Sequence, residues 1–98
     1  MSELEEIIQA AIIAHVDEFK RGKREENFQR LKEIIRKQLD DEIKPLEARK
    51  DSKQDQVVLA DLMSEIRKLR AKQDTSMKLL TENEEQYINK IDTIATNV

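Results

Sequence analysis

In the C-terminal half of this chain, Leu59, Leu62, Ile66 and Leu69 fall at alternating spacings of three and four. Side chains so spaced share one narrow seam of an α-helix, and a seam left in water drives the helix against a partner. Two frames continue it. A strict heptad runs through Gln73, Ser76, Leu80, Asn83, Tyr87, Lys90, Ile94 and Asn97, and 7 of its 12 positions from Leu59 are apolar. A frame with one stutter after Gln73 runs through Met77, Leu80, Glu84, Tyr87, Ile91, Ile94 and Val98, and 10 of 12 are apolar. The second frame is the better and predicts a locally unwound left-handed supercoil near Gln73.

The seam is therefore assigned to Leu59, Leu62, Ile66, Leu69, Gln73, Met77, Leu80, Tyr87, Ile91 and Ile94. A polar residue on such a seam costs stability and selects register, which makes Gln73 a candidate register device; Glu84 is either a second one or a flank residue reaching solvent. Met63, Leu79 and Ile88 widen the apolar band beyond a two-stranded minimum and favour three or more helices in contact.

The rest of the chain also reads as helix. In 98 residues there are one glycine, one proline, no cysteine and no tryptophan, and 40% of the residues are charged. That leaves little for turns or strands, and the apolar residues keep register instead of scattering as they do in a disordered chain. The length allows one domain at most. Without cysteine there are no disulfides and no thiolate metal sites, which fits a reducing compartment. No apolar run approaches the roughly 20 residues that span a bilayer. Glu3, Glu5 and Glu6 stand where a secretory signal would be basic, so a cytoplasmic protein is expected.

Taken in order, the fold expected is all-α. A short N-terminal amphipathic helix covers residues 1–21. Ser2 with Glu5 forms a capping box, and Leu4, Ile7, Ile8, Ala11, Ile12, His15, Val16 and Phe19 form its broad stripe. Gly22 marks a turn. A second helix covers residues 24–48, carried by Phe28, Leu31, Ile34, Ile35, Leu39 and Ile43, and kinks near Pro45. Residues 47–56 are either solvated helix or a loop that reverses the chain. The long coiled-coil helix, residues 52–98, follows. At 1.5 Å per residue it outruns the second helix by about 30 Å. Helix one can cover part of the excess; another copy of the chain is the favoured cover.

Other candidate sites are weak. His15 lies on the apolar stripe with no second histidine near it, so no metal is expected. Lys20, Arg21, Lys23 and Arg24 form a possible polyanion patch, but Glu25, Glu26 and Glu33 interrupt it and the net charge is -3. Residues 1–19 carry five acids and no bases, which disfavours an interfacial membrane helix. Neither a nucleophile–base pair nor a glycine-rich phosphate loop is present, so neither catalysis nor a cofactor is expected.

The function expected is that of a non-catalytic assembly or scaffold protein, a homodimer or homotrimer held by the C-terminal coiled coil, with a second protein also bound. The alternative is an adapter that docks on a larger protein through helix one, at Ile8, Ile12, Val16 and Phe19. A basic-patch nucleic-acid binder comes third.

Overall fold

The computed structural model describes residues 2–52 and 55–97. Among them there are five helices and no strand: α1 (Glu3–Ala14), α2 (Val16–Arg21), α3 (Arg24–Asp51), α4 (Gln56–Glu82) and α5 (Glu84–Thr96). The molecule is a rod of 52 × 23 × 21 Å. Its radius of gyration is 16.2 Å, against about 13 Å for a compact domain of this length.

The long hairpin of α3 and α4 is its frame. Ser52 ends α3 by donating its hydroxyl to the Arg49 carbonyl at 2.7 Å, and the Asp55 side chain starts α4 by accepting from the Val58 amide at 2.9 Å. The residues left open between loop and helix thus divide, residues 47–51 continuing α3 and Gln56 opening α4; Lys53 in that stretch lies outside the described residues, as does Val98 at the end of the expected seam. The helix does not end at Pro45, which sits within α3. Pro45 and Asp41 are both exposed, so the carbonyl deprived of its helical donor is on the water side. The buried Leu39 and Ile43 hold the chain in place around it.

The first helix is two. Ser2 caps it as expected, accepting from the Glu5 amide at 3.2 Å, but α1 stops at His15 (φ -121°, ψ 27°). The long C-terminal helix breaks likewise at Asn83 (φ -117°, ψ 35°). There, Thr81 donates its hydroxyl to the Met77 carbonyl and Asn83 its side-chain amide to Leu79. Such back-bonding competes with the helical ladder and bends it. With both bends made, α2 packs on α5, and α1 packs on α3 and α5.

One core results. Ile8, Ala11, Ile12 and Phe19 meet Phe28, Leu31, Ile35 and Leu39 from α3, and Leu80, Tyr87, Ile88, Ile91 and Ala95 from the C-terminal helices. The far end of the rod, where α3 and α4 continue past the start of α1, is an arm of two helices.

Asn27 locks the turn between α2 and α3. It is 2% exposed, and its amide nitrogen donates to the carbonyls of Phe19 (2.8 Å) and Gly22 (3.3 Å). Gly22 ends α2, but with φ -87° it is not left-handed. Glycine is needed there for room, because a Cβ would stand 2.2 Å from the Asn27 Oδ1.

A methyl at Gly22 must therefore displace a buried side chain. Gly22→Ala is expected to destabilise the chain by about 1–3 kcal/mol in urea denaturation. In an Asn27→Ala background the same substitution should cost clearly less. Equal costs in both backgrounds would remove the steric account.

Candidate functional site

The expected seam divides between two roles. Along α3, Leu62 and Ile66 are buried, and Leu59 and Leu69 are half-buried. Gln73 is buried, and its amide donates to the Arg36 carbonyl at 3.0 Å and to Asp40 Oδ1 at 2.6 Å. It ties α4 to one height on α3. Ser76 is then buried and Met77 only half-buried, so the strict heptad persists to Leu80 and the shift of phase lies at Asn83, not near Gln73. Glu84 is exposed. Beyond the bend, Tyr87 and Ile91 are buried and Ile94 half-buried.

From Leu80 onward the chain's own first helix packs over the seam. The reason is proximity. A two-residue turn tethers α2 to α3, so the apolar stripe of α1–α2 meets this seam at an effective concentration of order millimolar or more. A separate molecule must supply that concentration in solution.

The docking face expected on helix one is consumed by the same contact. Ile8, Ile12 and Phe19 are buried in the core and Val16 is half-buried, so in this fold the face is turned inward.

The basic run is dispersed. Arg24 is turned to α5, donating to Asp92 and to Asn89 at 2.8 Å each, with Glu85 at 3.6 Å. Arg30 approaches Glu18 at 3.8 Å, and Lys32 lies 5.3 Å from the Phe28 ring centre. Arg21 lines a shallow polar depression with Glu18, Glu26 and Arg30. Acids thus stand beside Arg21, Arg24 and Arg30. His15 is half-buried, with Glu18 4.0 Å from its Nδ1. Among the described residues no cluster of side chains has the make-up of a metal site, and no helix is long and apolar enough to cross a membrane.

Two surface features have no role in this core. The exposed large apolar side chains are Val57 (73%), Ile13 (52%), Met63 (44%) and Leu79 (40%), three of them on α4. A groove of about 410 Å³ also runs between α1 and α4. Leu4 and Ile7 form one wall, Ala71, Thr75 and Leu79 the other, and Glu3, Lys68 and Lys72 line it as well. Glu3 and Lys72 are ion-paired. The C-terminal spacing pointed to α4 as an association helix, but the stripe at Ala71, Thr75 and Leu79 was hidden by the stronger seam on its opposite side.

Burial holds the Tyr87 phenol protonated above its usual range, and the Glu5 carboxylate pushes the same way. A folded state that holds the proton more tightly contributes stability that is intact below about pH 10 and lost as the pH rises through the folded pKa. Tyr87 is the only tyrosine and tryptophan is absent, so ultraviolet absorbance reads its ionisation directly. The folded chain should titrate above the urea-unfolded chain. A folded midpoint at or below the unfolded one would contradict this burial.

No family model matches the sequence, and no curated protein or solved structure is detectably similar to it.

Proposed function

We propose that this chain is a non-catalytic helical assembly protein that associates with copies of itself along α4. The observation that carries the reading is the apolar surface left on that helix, Val57, Met63 and Leu79, after the internal core is complete. A helix that has already buried one seam and still carries apolar residues on other sides is suited to a further layer.

The amount of surface supports this. The chain exposes 6629 Å², whereas a compact monomer of 11.5 kDa exposes about 5,800 Å². The excess, about 800 Å², equals what each partner gives up in an interface of standard size. Two or three copies joined side by side would recover it. The absence of cysteine suits a cytoplasmic setting.

A second reading, the adapter that docks on a larger protein, moves from the inner to the outer side of α1. Ala10, Ile13 and Ala14 are exposed there, and an amphipathic groove on another protein could take that side.

Sedimentation velocity over a concentration series distinguishes the two. Self-association predicts a mass that rises from 11.5 kDa to that of a dimer or trimer as the chain is concentrated. A folded helical monomer at every concentration would end the first reading and leave the adapter.

A further inference from the structure

The α1–α4 groove has the charge pattern of a self-complementary surface. Its α1 side is acidic: Glu3 and Glu6 are exposed, and residues 1–19 hold no Lys or Arg. Its α4 side is basic, with Lys68 and Lys72 lining the groove. Between them lie Leu4, Ile7, Ala71, Thr75 and Leu79. The small residues Ala71 and Thr75 let another helix approach closely. The ion pair of Glu3 with Lys72 places the start of α1 level with the lysines of α4.

We propose that this groove receives the same groove of a second copy, the two related by a two-fold axis parallel to the rod. The proposal rests on the self-association reading and names its surface. A two-fold along the rod preserves height and exchanges sides. It carries the acidic α1 of one copy over the basic α4 of the other, with Glu3 of one at the height of Lys72 of the other. A two-fold across the rod would instead set acidic α1 against acidic α1. Opposite charge therefore selects the parallel arrangement, and like charge rejects the antiparallel one. The contact is isologous, so it closes at two copies.

Sedimentation equilibrium on the full chain tests this with substitutions at exposed sites. Leu79→Lys should weaken dimerisation at least about tenfold while circular dichroism stays unchanged. Glu6→Lys and Lys68→Glu should each weaken it several-fold. The double variant E6K/K68E should regain part of the lost affinity, because the facing sides of the two copies again carry opposite charge. Should Leu79→Lys fail to fold, the charge exchange alone decides, since both of its residues are on the surface.

A dimer that persists in Leu79→Lys, or a double variant weaker than either single one, would overturn the groove while leaving self-association standing. Loss of association in Met63→Lys but not in Leu79→Lys would do the same and move the interface to the arm. A monomer throughout the series would overturn both readings.

Discussion

The fold depends on one mismatch of lengths. The C-terminal apolar seam continues past the point where α3 can cover it alone, and α1–α2 supplies the missing side. Fully burying side chains such as Leu80 and Ile91 is worth about 1.5–3 kcal/mol each, so an uncovered seam of four or five such residues would cost as much as the whole stability of a small domain. The cover has to follow the seam, and the seam bends at Asn83. That is why α1–α2 bends as well, at His15, with nearly the same backbone angles. Two irregular residues on two different helices serve a single contact.

Charge sets the heights at which these helices meet. Arg24 reaches Asp92 near one end of the rod, Gln73 reaches Asp40 in the middle, and Arg70 pairs with Glu47 on the arm. Every pair joins α3 to the C-terminal helices, and sliding α3 by one turn against α4 and α5 would break all three together. The ion pairs are half-exposed and worth only about 0–1 kcal/mol apiece. Apolar burial therefore holds the rod together, while the polar contacts choose among nearly equivalent registers. Gln73 differs because it is buried: in a slipped register its amide would be left without acceptors, at a cost of about 1–3 kcal/mol.

Much of this was legible from residue spacing. The helical class, the Ser2 cap, the boundary at Gly22 and the apolar stripes of the first two helices follow from period and cap chemistry, which are local. The breaks at His15 and Asn83 were not legible, because neither residue is a strong helix breaker and both bends answer to tertiary packing. Pro45 stands inside α3, with the buried Leu39 and Ile43 preceding it and its own side exposed. The phase of the seam was read wrongly as well. Counting apolar residues favoured Met77 over Ser76, whereas the structure buries Ser76 beside the α1–α4 groove and half-buries Met77 against the core. Whether the first helix or another molecule covers the seam is a matter of tethering, and periodicity holds no information about it.

The backs of α3 and α4 differ in character. Both helices bury one seam in the same core, so both have a back. On α3 the back carries Glu33, Lys37, Asp41 and Lys44, all exposed, a charged surface complete in contact with water. On α4 the corresponding surface mixes Val57, Ala60, Ala71, Thr75 and Leu79 with the charged Asp61, Lys68, Lys78 and Glu82, all exposed. A hairpin selected only for its own stability would have no cause to differ so much between its two backs, since each apolar residue left in water adds nothing to folding and invites aggregation. The difference is intelligible if one back faces solvent and the other faces protein.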